Sequence, residues 1–292
     1  MKKTMEERLF NVFALIIETA FAAICVIPLL LTLSGSFTAE RELFSGGLQL
    51  WPKEFSTQAY ELILKNPLEM LNAYKVTIII TVLGTALCLF ITSMTSYVLY
   101  RKDFKYRNGF SFFFFFTTLF SGGLVPSYVV ICSLGLRDTY AVLILTGMFS
   151  VMNMIIMRTF FTSNVPMAII ESAKIDGAND FRIYLSGVLP LSIPILATIG
   201  LLTALGYWNN WNTAMLYISE KDLYPLQYYL YRIFQSAELQ QQLAELGMQT
   251  EQTPTESYKL AMTVFTMGPV VLFYPFVQKY FVQGMTIGAV KE

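Results

Sequence analysis

The sequence predicts an all-α membrane protein, and its composition and charge distribution are the observations behind that prediction. The chain has 292 residues, of which 55% are hydrophobic and only 14% are charged. Soluble domains carry roughly 25% charged residues. Six intervals of at least 19 residues contain no Asp, Glu, Lys or Arg: 19–39, 76–100, 108–136, 139–157, 183–219 and 260–278. Because a helix of about 20 apolar residues crosses the hydrocarbon core of a bilayer, each interval is long enough for one span.

Helices rather than strands are expected to form these spans. Membrane strands alternate between apolar and polar residues, whereas residues 112–116 are an unbroken run of phenylalanine. We predict transmembrane helices over 10–35, 74–99, 109–132, 139–161, 190–216 and 259–281. The remaining segments are an N-terminal tail, external loops, a cytoplasmic loop and a C-terminal tail, over 1–9, 36–73, 217–258, 162–189 and 282–292. The transmembrane domain proper is predicted over 74–283.

The first span also has features of a signal peptide, because Lys2 and Lys3 precede it. Its apolar stretch is longer than a typical signal-peptide core, and Ser34-Gly35-Ser36 is only a weak cleavage signal. We therefore expect an uncleaved first helix.

The basic residues predict the orientation of the helices. With the N-terminus in the cytoplasm, the inside segments carry twelve basic residues against seven acidic ones, and the outside segments carry eight against twelve. The densest short basic loop, 101–107, then lies inside, as the positive-inside rule requires. Both termini are expected in the cytoplasm.

Each of the two external loops contains a predicted helix, and the one in the first loop is short, over 57–64. A second begins near Leu226 and ends at Gly247, with apolar residues at helical spacing. The second helix is interpreted either as a cap on the membrane surface or as a docking platform for an external partner.

Several functional classes are excluded by residue type. The chain has no histidine, which removes imidazole bases and histidine-bearing metal sites. Cys25, Cys88 and Cys132 lie apart inside apolar runs, so they predict neither a metal cluster nor a disulfide framework. The formal net charge is zero, which offers no electrostatic basis for binding nucleic acid. We predict no cofactor, no metal and no catalytic residue.

The most informative segment is the cytoplasmic loop between the fourth and fifth spans. Asn164 suits a helix cap, Pro166 suits the first helical turn, and Gly177 suits the helix exit. The resulting helix of about ten residues is too short to be stable alone in water. Its apolar positions are Ile169, Ile170, Ala173 and Ile175. It either packs against its own bundle or inserts into a cleft of a partner.

Residues 171–190 read E-S-A-K-I-D-G-A-N-D-F-R-I-Y-L-S-G-V-L-P and resemble the EAA loop of ATP-binding-cassette (ABC) importer permeases. The motif positions are Glu171, Ser172, Ala173, Asp176, Gly177, Ala178 and Leu189-Pro190. Ser172 stands where alanine is usual. The resemblance to maltose-type (MalG-like) carbohydrate permeases covers nearly the whole chain, through Phe55-Ser56, Ala59-Tyr60, Asn66-Pro67, Trp208-Asn209, Gln278-Lys279-Tyr280-Phe281, Gly284 and the stretch Gly288-Ala289-Val290-Lys291.

The sequence departs from the maltose-type pattern at two places. Asn210 stands where an acidic residue is common, and the loop over 224–257 is long. The long loop resembles the branch that imports larger oligosaccharides through a lipoprotein receptor.

The resemblance implies a type I ABC importer permease fold. It also implies that the membrane pathway and ATP hydrolysis belong to different subunits. The chain has no G-x-x-x-x-G-K-[ST] phosphate loop, so ATP is expected on separate subunits. The implied partners are a second permease, which the resemblance implies is a different chain, two ATPase subunits, an extracellular substrate-binding lipoprotein, an oligosaccharide and membrane lipid. The helix that carries Glu171 would insert into an ATPase cleft, Gly177 would permit its tight exit, and Asp176 would cap or brace the following turn.

Sugars are held by amides or hydroxyls beside aromatic rings, and one run on the fifth span supplies both. It comprises Tyr207, Trp208, Asn209, Asn210, Trp211 and Asn212. The alternative is an interfacial aromatic belt. Asn153 on the fourth span is a further candidate for the sugar path, or an interhelical hydrogen-bond partner like the row Thr77, Thr81 and Thr85.

Two other functional classes compete with this interpretation. Glu18 is the one acidic residue within a span and is therefore a functional candidate, or a partner for another helix. A secondary, ion-coupled transporter would use such groups, but the two halves of the chain show no evident repeat. A membrane enzyme would need a Ser-Lys or paired-carboxylate arrangement, and no span contains one. An ABC permease for a non-sugar solute is the third alternative.

Overall fold

The structure, a computed structural model, describes residues 5–65, 67–246 and 256–289. The first helices are α1 (Met5–Ser36), α2 (Glu40–Gly46), α3 (Gln58–Lys65), α4 (Pro67–Tyr100), α5 (Arg107–Leu119), α6 (Leu124–Ser133), α7 (Tyr140–Leu145) and α8 (Val151–Asn164). Those that follow are α9 (Met167–Ile175), α10 (Asp180–Ile183), a π-helical turn (Tyr184–Val188), α11 (Leu189–Leu191), α12 (Ile193–Trp208), α13 (Asn212–Tyr217), a 3₁₀ turn (Lys221–Leu223), α14 (Leu226–Glu245) and α15 (Glu256–Ala289). Outside these helices, the described residues pair as strands only at one bridge, Thr38 with Phe55. The predicted all-α class is confirmed.

The fold divides into two compact units, Met1–Pro67 with Leu230–Pro269 and Leu68–Tyr229 with Val270–Glu292. In the first unit the Phe37 ring stacks on Tyr60, with centroids 4.7 Å apart. The Glu40 carboxylate accepts hydrogen bonds from the backbone N–H groups of Glu256 and Ser257, at 2.8 and 3.0 Å. These N–H groups lie in the first turn of α15, where the helix leaves its donors unpaired, so Glu40 anchors the start of that helix.

The second unit contains the main apolar core, which joins α4, α8, α12 and the segment between α8 and α12. Its buried members are Tyr97, Tyr100, Met157, Phe161, Val165, Ile170, Ile183, Tyr184, Val188, Ile195 and Ile199. Two hydrogen bonds hold the same segments together: the Tyr100 hydroxyl donates to the Val165 carbonyl at 2.7 Å, and the hydroxyls of Ser93 and Tyr184 lie 2.6 Å apart. The predicted cytoplasmic loop is thus packed on the ends of the long helices.

Two of the described helical segments are each long and apolar enough to cross a membrane, Leu9–Ser36 and Pro67–Tyr100. The number rises to four if two bent pairs each form one span. Helix α15 contains the sixth predicted span. The two predicted external helices are also present as α3 and α14, although Gly247, the predicted end of the latter, lies outside the described residues.

The prediction of a single helix over 109–132 is wrong. Helices α5 and α6 replace it, with a bend of 114° between them. The break lies at Gly123, which has a φ of +88° and precedes α6. Glycine adopts this left-handed conformation without the steric cost that a side chain would add, so the chain turns sharply inside an apolar run.

The segments predicted as helices over 139–161 and 190–216 are also broken. The first stops at Leu145 and restarts at Val151, where the Ser150 hydroxyl caps α8 by accepting from the Asn153 N–H at 3.4 Å. The second bends by 84° before α12, because Pro194 in the first turn cannot donate a backbone hydrogen bond. It stops again at Trp208, ahead of α13.

Labelling of single cysteines tests the predicted orientation. We expect Lys105→Cys to react with a membrane-impermeant maleimide only from the cytoplasmic side, since Lys105 belongs to the densest basic loop. Gln241→Cys, in the predicted external loop, should react only from outside. The native Cys25, Cys88 and Cys132 are replaced by serine in both variants and in the control. Reaction of both positions from one side would show that a span is miscounted.

Candidate functional site

Helix α9 ends in a tight turn formed by the Asp-Gly-Ala part of the EAA-like segment. Gly177 has a φ of +76°, and its N–H donates to the Lys174 carbonyl at 3.0 Å. The Ala178 N–H donates back to the Ala173 carbonyl at 2.9 Å. This pair of bonds is the Schellman motif, in which a left-handed glycine satisfies the last carbonyls of the helix. The prediction that Gly177 forms the helix exit is confirmed.

The opposite faces of α9 have different environments. Ile170 is buried in the core, and Ala173 packs against the same core. The residues at the i, i+3, i+4 and i+7 positions of the other face are all exposed: Ala168, Glu171, Ser172 and Ile175. Ile175 is 86% exposed, so of the predicted apolar positions it is one that does not pack against the bundle. Four residues in this register form one stripe along a helix, named here the exposed α9 stripe.

The cap predicted at Asn164 is wrong, and so is the capping alternative for Asp176. The Asn164 side chain donates to the Phe160 carbonyl of its own helix, and the residue that precedes α9 is Pro166. Asn179, and not Asp176, caps the turn that follows, because its side-chain oxygen accepts from the Arg182 N–H at 2.8 Å. An asparagine is as effective a cap as an aspartate, so sequence alone did not separate the two.

Sequence reasoning used Arg101 only as one charge of the basic loop and missed its place in the fold. The residue directly follows α4 and is only 6% exposed. It makes ion pairs with Asp103 and Asp180. A buried arginine requires acidic partners, and the available signal was Asp103, two residues further along the basic loop, together with Asp180 inside the EAA-like segment.

Asn153, Tyr207 and Asn210, three of the residues predicted for the sugar path, meet at one cavity of about 270 Å³ inside the second unit. Its lining consists of Cys88, Gly147, Ser150, Asn153, Thr203, Gly206, Tyr207 and Asn210. The lining is therefore uncharged and mostly polar or small. Asn153 is half-buried, and its side-chain amide has no hydrogen-bond partner among the described residues. An amide in such a place has its hydrogen-bonding capacity available for water or a ligand.

Tyr207, near the end of α12, connects that helix to α7, the first part of the predicted fourth span. Its hydroxyl donates to the Ile144 carbonyl at 2.6 Å, at the end of α7, and the side chain is buried. The ring lies directly against Gly84 on α4, where a Cβ would stand 2.4 Å from the Tyr207 ring carbon Cζ. Tyr207 therefore sets the spacing between α4 and the break that borders the cavity.

The other members of the aromatic and amide run lie in different environments. Asn209 is exposed and accepts from the Gln227 side chain at 3.1 Å. Trp208 and Trp211 are not part of the cavity lining. Asn210 lines it, yet its amide is engaged with the backbone N–H and hydroxyl of Thr213. The run is thus divided between the cavity and helix capping.

Of the predicted threonine row, one residue has the expected hydrogen bond to another helix and two do not. The Thr77 hydroxyl accepts from the backbone N–H of Leu226 at 2.8 Å, which fits the expected interhelical role. The hydroxyls of Thr81 and Thr85 are buried without a partner among the described residues. Glu18 is exposed on α1.

Known proteins resemble this chain over almost its full length. The family described as binding-protein-dependent transport system inner membrane component matches residues 77–287. The polygalacturonan/rhamnogalacturonan transport system permease protein YtcP of Bacillus subtilis is 39% identical over 288 residues, which cover 98% of this chain and 100% of YtcP. Protein LplC of the same organism is 38% identical, with 100% of this chain and 98% of LplC covered.

A solved structure has the same fold. A chain of a bacterial ABC transporter involved in the import of the acidic polysaccharide alginate aligns with a TM-score of 0.83 at 28% identity, covering 96% of this chain and 99% of its own. These similarities exclude the secondary-transporter and enzyme alternatives. The chain therefore belongs to the family of binding-protein-dependent inner membrane transport components, and it is a permease subunit of an ABC importer in a bacterial cytoplasmic membrane.

Proposed function

We propose that this permease subunit forms half of the membrane pathway for an oligosaccharide and couples it to separate ATPase subunits through the EAA loop. Membership of the family implies a partner permease, ATPases and a substrate-binding protein. In more detail, the second permease is a different chain, two ATPase subunits are present, and the receptor is an extracellular lipoprotein. ATP is bound by the ATPase subunits.

The exposed α9 stripe is the observation that carries the coupling role. One face of α9 is fixed to the core through Ile170, while Glu171 and Ile175 remain exposed on the other. An exposed isoleucine beside a carboxylate on the predicted cytoplasmic side suits a cleft with an apolar floor and a basic rim. The Schellman turn at Gly177 holds this face at a defined angle to the core.

The cavity next to Tyr207 supports a path for a sugar. Hydroxyl and amide groups of Ser150, Asn153 and Thr203 border it, and these groups match the hydroxyls of a carbohydrate. Trp208, Asn209 and Trp211 complete the proposed path as aromatic and amide contacts beyond the cavity. The names of YtcP and of the alginate transporter support a polysaccharide-derived solute.

Reconstitution of the complete importer tests this function. The chain is purified with its co-expressed neighbours and placed in proteoliposomes with internal ATP. Uptake is then measured for a panel of oligogalacturonides, alginate oligosaccharides and maltotetraose, named here the sugar panel. We expect ATP-dependent uptake of at least one member. Uptake that persists without ATP, or co-purification without an ATPase subunit, would contradict the proposal.

Replacement of Asn153 tests the cavity as the sugar path. We expect Asn153→Ala to lower uptake about tenfold, because a sugar hydroxyl left without its partner in a closed site costs about 1–3 kcal/mol. Asn209→Ala is the comparison variant and should lower uptake by a smaller factor, since it removes the same amide from an exposed position of the proposed path. Yield and melting temperature are measured for both. A larger loss of uptake in Asn209→Ala than in Asn153→Ala would place the sugar along the exposed run instead.

A further inference from the structure

A buried guanidinium connects the end of α4 to both sides of the EAA-like turn. The Arg101 side chain uses four of its five N–H groups. Two of these bonds go to Asp103, from Nε at 2.7 Å and from Nη2 at 2.5 Å, and Nη1 donates to Asp180 at 2.7 Å and to the Tyr97 hydroxyl at 2.8 Å. Paired bonds between a guanidinium and a carboxylate fix orientation as well as distance.

The carboxylate of Asp103 extends this connection to α9. Its Oδ2 accepts from the Lys174 ammonium at 2.5 Å, in addition to the bond from Arg101. These bonds, first from Arg101 and then from Lys174, hold the pKa of Asp103 well below its ordinary value. The group is therefore ionised at neutral pH, and its contribution is lost only when the pH falls below the ordinary carboxyl range. The four charged residues are named here the cytoplasmic brace: Arg101, Asp103, Lys174 and Asp180.

The brace connects residues on the two sides of Gly177, the point of the loop where the backbone is least restricted. Lys174 precedes Gly177 and Asp180 follows it, and Gly177 is the left-handed turn at which the chain reverses. A turn of this kind is a place where backbone angles change at low cost. Because both flanking residues are tied to the same Arg101–Asp103 pair, a displacement of α9 is passed to α4 and is not absorbed at the turn.

Helix α4 carries that displacement to the cavity. It is continuous from Pro67 to Tyr100, with its proline at the first residue. Cys88, which lines the cavity, lies thirteen residues before Arg101, a distance of about 20 Å along a helix. Resting on the coupling role proposed above, we propose that the cytoplasmic brace is a positioning element that makes α9 and α4 move as one body during transport.

Replacing Lys174 tests the brace without changing the exposed α9 stripe. Lys174→Met removes the ammonium and keeps most of the stem, while Lys174→Arg keeps the charge. Lys102→Met is the matched control, since Lys102 is exposed in the same basic loop and forms no ion pair among the described residues. The ATP hydrolysed per imported molecule of the sugar panel is measured in proteoliposomes of the complete importer.

We expect Lys174→Met to raise this ratio about fivefold or more, the effect of losing a typical coupling free energy between two sites. Lys174→Arg and Lys102→Met should stay at the wild-type ratio. Asp180→Asn, which changes a carboxylate that is 71% exposed, is the second variant and should raise the ratio in the same direction. Because these side chains are largely exposed, the variants should retain the ATPase subunits on purification.

The outcomes separate the brace from the coupling role of the loop itself. An unchanged ratio in Lys174→Met and Asp180→Asn would overturn the brace, as would a loss of transport that only follows lost protein or lost ATPase subunits. Glu171→Lys is measured in parallel, because Glu171 lies on the stripe and outside the brace. If only Glu171→Lys raises the ratio, the coupling role stands and the brace is wrong. If only the brace variants raise the ratio of ATP hydrolysed to sugar imported, the brace is supported and the exposed α9 stripe is not the contact with the ATPase subunits.

Discussion

Glu171→Lys is expected to abolish sugar uptake while the chain remains folded and inserted. Glu171 lies on the exposed α9 stripe, and nothing in the core of the second unit depends on its side chain. If the stripe enters a cleft with a basic rim, the new lysine places like charges at the contact. Truncating one partner of a buried charge pair at an interface costs about 2–5 kcal/mol, and a reversal adds repulsion. Uptake of the sugar panel and the sugar-dependent part of ATP hydrolysis should both disappear.

The control for this prediction is a matched charge reversal on the same predicted side of the membrane. Glu6→Lys makes the same change at an exposed residue of α1 near the N-terminus and should behave like the wild-type chain. Glu171→Gln should fall between the two, because it removes the charge without adding repulsion. If Glu171→Lys keeps both its ATPase subunits and sugar-stimulated hydrolysis, the stripe does not couple transport to ATP.

Gly84→Ala is expected to lower both stability and uptake. The added Cβ would stand 2.4 Å from the Tyr207 ring, well inside van der Waals contact. Tyr207 cannot easily withdraw, since it is buried and its hydroxyl is bonded to the Ile144 carbonyl. Overpacking of this kind costs about 1–3 kcal/mol. The melting temperature in detergent should fall, and uptake should fall with it, because the helices that border the cavity are pushed apart.

A second glycine provides the control for Gly84→Ala. At Gly109 in α5 an added Cβ meets no atom within 4 Å, so Gly109→Ala should leave stability unchanged or slightly raise it through helix propensity. Combining Gly84→Ala with Tyr207→Leu makes room for the methyl group and should recover part of the lost stability. Equal melting temperatures for Gly84→Ala and the wild-type chain would show that Tyr207 does not fill this space.

The sequence by itself determined the class of the protein and its membrane location, and it singled out the segment around Gly177 as the candidate coupling segment. Charge-free intervals reveal the apolar runs because charged side chains are costly in lipid. The helix exit at Gly177 could be predicted because its geometry is local: the Schellman turn depends on residues within six positions of one another. The helices α3, α9 and α14 were also predicted close to their observed positions.

The tertiary structure decided where helices break and which side chains meet. Apolar runs such as 109–132 satisfy a length criterion whether the chain is straight or bent, and only the backbone angle at Gly123 separates the two. The cavity joins Asn153 to Tyr207, and the brace joins Arg101 to Asp180, each across more than fifty residues of sequence. Such contacts depend on how α4, α8 and α12 pack, and hydrophobic patterning specifies which residues are apolar but not which polar groups face one another.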